Sequence, residues 1–161
     1  MPTAEQRLKA LGLTLPQPVK PPPGVVLPFQ FVRVHGHRAF VSGHGPTNTD
    51  GALARPLGKV GRDLDVAQGA AAARLVGLAV LGSLQRALGS LDRITAWTRV
   101  FGMVNSAPGF NLQPAVIYGL SDPILEVSGP EVGAHARRAL GMAELPFDIP
   151  VEIEAEVEIR T

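Results

Sequence analysis

Val151 to Arg160 carries the clearest hydrophobic pattern in the chain. Val151, Ile153, Ala155, Val157 and Ile159 alternate with Glu152, Glu154, Glu156, Glu158 and Arg160. That period of two predicts a strand with one face on a core. Arg93 to Asn105 predicts a longer strand. Ile94, Ala96, Thr98, Val100 and Val104 fall on one face, and Arg93, Thr95, Trp97, Arg99, Phe101 and Met103 on the other. Both faces are partly apolar, so neither is expected to be freely solvated. Pro28 to Val34 and Arg38 to Gly43 are β-rich runs joined by His35-Gly36-His37, a hairpin signal. Ala136 to Glu144 is a further strand candidate, ended by Leu145-Pro146.

Helical periods fill the gaps between these strands. Asp65, with Gln68 three positions on, forms a capping-box pattern that starts a long helix, and Gly89 stops it after Leu88. Ala70 to Ala73, Gly77, Ala79 and Gly82 give this helix a small-residue surface, read here as helix-on-sheet packing. Phe110 to Leu125 predicts a second helix, with a break near Ser121-Asp122-Pro123. Gly43 to Arg62 is rich in Gly, Pro, Asn, Thr and Asp and reads as a loop. Thr3 to Leu13 predicts a short amphipathic helix, and Pro16, Pro18 and Pro21 to Pro23 impose an extended connector. Residues 1–24 therefore read as a leader wrapping the surface of one domain, residues 25–161.

The order β-β-α-β-α-β-β predicts an α+β fold: a mostly antiparallel sheet with two helices on one face. The second face then mixes Trp97, Phe101 and Met103 with Arg93, Arg99 and a row of carboxylates. A surface both apolar and matched in charge is what a subunit interface uses, so the chain is expected to oligomerise.

Composition narrows the function. A length of 161 residues suits one domain. The net charge is +1, no basic run exceeds Arg137-Arg138, and there is one Trp and one Tyr. The basic stripe and stacking aromatics of a nucleic-acid binder are missing, so no nucleic-acid partner is expected. The absence of Cys removes disulfides, thiolate nucleophiles and Cys-type zinc sites. Met1 to Lys9 lacks the apolar core of a signal peptide. The longest apolar stretch, Leu75 to Leu84, is well short of the ~20 residues of a membrane span. The expectation is a soluble, cytoplasmic protein with no membrane partner.

Candidate chemistry is sparse. His35 and His37 share a strand face with His44 nearby, but Gly36 makes a hairpin tip and no paired carboxylate lies close in sequence, so no metal site is expected. Ser42 with His44 lacks the helical elbow and third member of a nucleophile pair. Neither Gly43 to Gly45 nor Gly58-Lys59 has phosphate-loop spacing.

Four stretches in order and spacing resemble the RidA (YjgF/YER057c/UK114) family. They are Val41-Ser42-Gly43 with Pro46, the long helix followed by Leu91-Asp92, Ala136-Arg137, and, after Leu145-Pro146, Val151-Glu152-Ile153-Glu154. The resemblance spans residues 25–160. It implies a chorismate-mutase-like fold, a homotrimer with ligand clefts between subunits, and hydrolysis of small enamines and imines to 2-keto acids and ammonia. By resemblance, Arg137 grips the carboxylate of a small metabolite and Glu152 positions the attacking water. Ser42, Gly43, Phe29 and Ala139 line the cleft, and His44 occupies a cleft position where it can exchange protons. No metal or organic cofactor is implied.

A guanidinium suits the first role because its planar fork matches a carboxylate in two parallel hydrogen bonds. A partly buried carboxyl with a raised pKa suits the second. The plainer reading of Arg137 is an ion pair with Glu152 or Glu154 on an adjacent strand, worth ~0–1 kcal/mol when exposed. For His44 it is a solvent-exposed turn residue.

Departures from the family pattern are equally plain. Phe29 stands where the active deaminases carry Tyr, His44 where they carry Gln, and Ala139 where they carry Cys. Pro114 stands where they carry Asn, and His135-Ala136-Arg137 replaces Pro-Ala-Arg. This pattern resembles a divergent branch. Two rival functions remain open: a keto-acid binding module without turnover, and the ribonuclease or translation-inhibitor activity once attached to the family, which the near-neutral charge disfavours.

Overall fold

A computed structural model describes residues 1–161. The elements are α1 (Ala4–Ala10), β1 (Val32–His35), β2 (Arg38–His44), α2 (Val66–Leu88), β3 (Ile94–Asn105), α3 (Gln113–Ser128), β4 (Ala136–Met142) and β5 (Val151–Ile159). Five strands form one sheet in the order β1-β2-β5-β3-β4. Only β3 and β4 run parallel; the other neighbours are antiparallel. The predicted α+β class and mostly antiparallel sheet are those of the structure.

β5 is the centre of the sheet, and its alternation is realised in full. Val151, Ile153, Ala155, Val157 and Ile159 are buried beneath the helices, while the glutamates between them face away. On α2, Asp65 Oδ1 accepts from the Gln68 amide and the Gln68 side chain accepts from the Asp65 amide. Gly89 closes the helix at φ +79, a left-handed conformation that Gly adopts without penalty. By length and composition α2 would also suit a membrane span, but here its apolar residues, Val76, Val80 and Leu84 among them, belong to the core.

Three expectations are corrected. First, the small residues of α2 meet the second helix and the leader as well as the sheet. A Cβ on Gly77 would come within 2.9 Å of the Pro123 ring, and one on Gly119 of α3 would collide with the Ala70 carbonyl of α2. A Cβ on Gly82 would lie 3.2 Å from the Pro16 carbonyl of the leader. Second, α3 is not interrupted at Pro123. Pro costs a helix one amide hydrogen bond, but this ring is buried in the notch that Gly77 leaves open.

Third, Trp97 does not lie on the outer sheet face. The β3–β5 register shifts on either side of it, between Ile94 and Ala96 and between Trp97 and Arg99. Those irregularities turn the indole inward, where it is 1% exposed and donates from Nε1 to Ser128 Oγ at 2.9 Å. Arg93 also leaves the outer-face group, since its guanidinium donates to the Leu88 and Arg160 carbonyls.

Residues 1–24 are tied to the rest of the chain by specific bonds. Thr3 and Gln6 cap α1 reciprocally, and Leu8 is buried in the core. Glu5 accepts from the Leu91 amide and from Gln85, and Arg7 donates to the Ser128 carbonyl. The Gln17 amide bonds the Thr49 carbonyl at 2.9 Å.

Candidate functional site

The sheet register decides where each candidate points. On the outer face, across β5, β3 and β4, Glu152 aligns with Met103 and Leu140, Glu154 with Phe101 and Arg138, and Glu156 with Arg99 and Ala136. Arg99 pairs with Glu154 at 3.7 Å and Arg38 with Glu156 at 3.1 Å. Leu140 and Phe40 are exposed. The outer face is therefore apolar and charge-interleaved even without Trp97.

Arg137 belongs to the opposite face. It aligns with Val100 and Ala155, both buried on the helix side. Its guanidinium carbon lies 4.6 Å from the centroid of the Tyr118 ring on α3, a cation–π arrangement. Nη1 donates to Ser121 Oγ at 3.5 Å. Behind it, His135 Nδ1 lies 2.6 Å from the Gly133 carbonyl and Nε2 lies 3.1 Å from Ser121 Oγ. A carbonyl only accepts, so Nδ1 carries the proton, and in the neutral ring Nε2 accepts from the Ser121 hydroxyl. The Ser121 oxygen is thereby left to accept from Arg137. No carboxylate forms an ion pair with Arg137, so the pairing with Glu152 or Glu154 is not what this structure contains.

Glu152 and the residues around it form a second group. A Cβ on Gly43 would overlap the Glu152 carboxylate, so the glycine is what lets the two strands carry this side chain flat against β2. Burial, and then the nearby Glu154 charge, push the Glu152 carboxyl above its ordinary range. Ser42 donates from Oγ to the Gln30 carbonyl at 2.8 Å. Phe29 is half exposed, with its ring edge-on to Phe31 at 5.4 Å.

His44 is placed elsewhere. It is 1% exposed, its Nδ1 lies 2.6 Å from the Ser42 carbonyl and its Nε2 lies 2.8 Å from Ser83 Oγ on α2. Burial lowers its pKa to about 4, so the ring is neutral at pH 7. Of the two sequence readings of His44, a proton-exchanging cleft residue and a solvent-exposed turn residue, the second is corrected: it is a core residue whose two ring nitrogens are both engaged. The register shift between Val41 and His44 on β2 puts His44 on the same helix-side face as Val41, three residues away, and leaves Gly43 against Glu152 on the other.

Within one chain, then, the candidates do not converge. Arg137 and Ala139 share the helix side of edge strand β4, while Glu152 lies on the outer face of β5 with β3 between them. Two strand spacings are about 10 Å, and the sheet itself intervenes. Tyr118, Ser121 and His135 were missed as partners of Arg137. Spacing hinted at them: Tyr118 and Ser121 are i and i+3 on a helix, and His135 precedes Arg137 by two on an extended run.

The family described as "YjgF/chorismate mutase-like, putative endoribonuclease" matches residues 5–151. The chain belongs to this family. Protein TCP17 of Trypanosoma cruzi is 42% identical over 153 residues, 95% of this chain and 92% of that protein. Among solved structures, a protein of unknown function from Agrobacterium tumefaciens is 40% identical with a TM-score of 0.85, covering 99% of this chain and 93% of that one. A "putative endoribonuclease" from Shewanella oneidensis MR-1 is 30% identical with a TM-score of 0.86, covering 98% and 100%. Membership of the YjgF family gives the α+β chorismate-mutase-like fold.

Proposed function

We propose that this YjgF-family chain binds small 2-imino or 2-keto acids through Arg137 and hydrolyses the imine with Glu152, in a cleft completed by a second copy in a homotrimer. The observation that carries this reading is the state of Arg137: a guanidinium held by Tyr118 and Ser121 with no carboxylate to neutralise it. Such a group is already oriented for an anion. E. coli TdcF, 20% identical with a TM-score of 0.56, was solved with bound serine, whose carboxylate is of the class proposed here.

Because Arg137 and Glu152 face opposite sides of the sheet, one ligand meets both only if Glu152 comes from another copy. The outer face, with Phe40, Phe101, Met103 and Leu140 among alternating charges, suits that contact. In the reaction, water adds to the imine carbon as Glu152 takes its proton. The carboxyl returns a proton to nitrogen, and the carbinolamine collapses to the keto acid with loss of ammonia. Burial of Glu152 keeps a proton on the carboxyl to higher pH, which suits it to the second step. Binding without turnover is the second reading, favoured by Phe29 and Ala139, which lack the hydroxyl and thiol of the active deaminases.

The test is decay of freshly generated 2-aminoacrylate, followed with ammonia release, on wild type, Arg137→Ala and Glu152→Gln. Turnover above buffer that both variants reduce is expected. Keto-acid binding without turnover would leave only the module, and neither activity would end both readings. Sedimentation at micromolar concentration checks the trimer; a monomer would remove the shared cleft.

A further inference from the structure

A second cation in this fold also lacks a counter-charge, at the far edge of the sheet from Arg137. A cleft of about 380 Å³ lies between the leader (Pro18, Val19), the approach to β1 (Gln30, Phe31, Val32) and the C-terminal half of α2 (Ser83, Arg86, Ala87). That volume is in the range of small-molecule pockets, ~300–1,000 Å³. Its walls include Val19, Phe31, Val32 and Ala87, and Arg86 is its only charged group.

Arg86 is held in a fixed orientation. Nη1 donates to the Pro16 carbonyl at 2.9 Å and Nη2 to Ser83 Oγ at 3.1 Å. The Ser83 hydroxyl accepts that bond because its own proton is committed to Nε2 of the neutral His44, whose Nδ1–H is fixed on the Ser42 carbonyl. The chain Arg86→Ser83→His44→Ser42 thus runs in one direction from the cleft into the core. Of the five N–H groups of a guanidinium, these contacts use two, leaving three for another acceptor. No carboxylate pairs with Arg86. Partial burial alone pulls it below its ordinary pKa, with no acidic neighbour to offset that.

A helix-terminal arginine that merely clamps the leader accounts for the Pro16 bond. It does not account for the Ser83–His44 relay behind the guanidinium or for the space left beside it. We infer that this cleft is a second binding site, taking a small monocarboxylate with an apolar body: the carboxylate on Arg86, the body against Phe31, Val32 and Val19. The site is independent of the Arg137 reading, stands on one chain alone, and gives His44 a role in orienting Ser83 rather than in proton transfer.

Isothermal titration of the full chain with benzoate and 4-methylpentanoate tests the site, with benzamide as the uncharged analogue and inorganic phosphate as the anion without a body. Saturable binding of both carboxylates is expected, with none of benzamide. Arg86→Gln should weaken it by about tenfold or more, the scale of a lost charge-assisted hydrogen bond. Arg86→Gln also releases Pro16, so Ala87→Trp serves as the second variant: it fills the cleft with Arg86 and its two bonds intact, and should abolish binding. No carboxylate binding, or binding that survives Ala87→Trp, overturns the proposal. Loss only in Arg137→Ala assigns the ligand to the other site, and phosphate binding as tight as benzoate removes the apolar component.

Discussion

Gly43 of β2 lies directly against the Glu152 carboxylate of β5, so closely that a methyl group there would stand where the carboxylate does. The pair links a strand glycine to a carboxyl whose pKa burial raises. Gly43→Ala should therefore displace Glu152. The displaced atoms are the end of a flexible side chain, so the melting temperature should fall by only a few degrees, ~1 kcal/mol or less. Any 2-aminoacrylate turnover should fall by about 100-fold or more, the typical contribution of a positioned acid–base group. Activity that survives would detach Glu152 from the chemistry.

Arg137 offers a graded series. Arg137→Ala should weaken pyruvate or serine binding by about 1.5–3 kcal/mol, the worth of hydrogen bonds to a charged group. Arg137→Lys should fail to restore it, because a lysine ammonium has no fork. Tyr118→Leu removes the aromatic face beneath the guanidinium and should cost about 0.5–1 kcal/mol. Calorimetric titration measures all three. Equal binding by the lysine variant would mean that charge, not fork geometry, is what the site uses.

His44 makes stability depend on pH in a defined window. Its pKa falls from 6.5 to about 4 on folding, so below pH 6.5 the unfolded chain takes up a proton that the native ring refuses. The contribution is fully present above 6.5 and is lost as pH falls towards 4, up to about 3 kcal/mol at 1.36 kcal/mol per unit. Urea denaturation at pH 7.5 and 4.5 should find wild type more stable than His44→Gln at the higher pH, with the gap closing at the lower. A gap of equal size at both would assign the effect to packing.

Gly119→Ala sets two effects against each other. Ala in place of helical Gly gains about 1 kcal/mol in propensity. Its methyl, however, would strike the Ala70 carbonyl of α2, and backbone cannot step aside as a side chain can. Overpacking of this kind costs about 1–3 kcal/mol, so a lower melting temperature is expected. A rise would mean that the two helices separate easily.

Much of the scaffold was written locally. The alternation from Val151 to Ile159 gave the central strand, and Asp65, Gln68 and Gly89 bounded α2, because both patterns depend only on neighbours in sequence. Trp97 was misplaced because strict alternation assumes an unbroken register. The shifts beside it are set by pairing with β5, some sixty residues on, and by the Val132 carbonyl, which accepts from the Trp97 amide. β1 begins at Val32 rather than Pro28, since Ser42 reaches the Gln30 and Phe31 carbonyls outside the regular ladder. The candidate site was legible as residues but not as a geometry. Arg137 and Glu152 could be picked out by resemblance, yet which sheet face each occupies follows only from the strand order.

The inward turn of Trp97 also equips the chain with a single optical reporter. It is the only tryptophan, and its indole bridges β3 to the C-terminal end of α3 through Ser128. Its emission therefore tracks one event, the seating of that helix on the sheet, without a background of other indoles. Stopped-flow refolding read at this fluorophore would time the docking of the helix that carries Tyr118 and Ser121, and with it the moment at which Arg137 acquires its cradle.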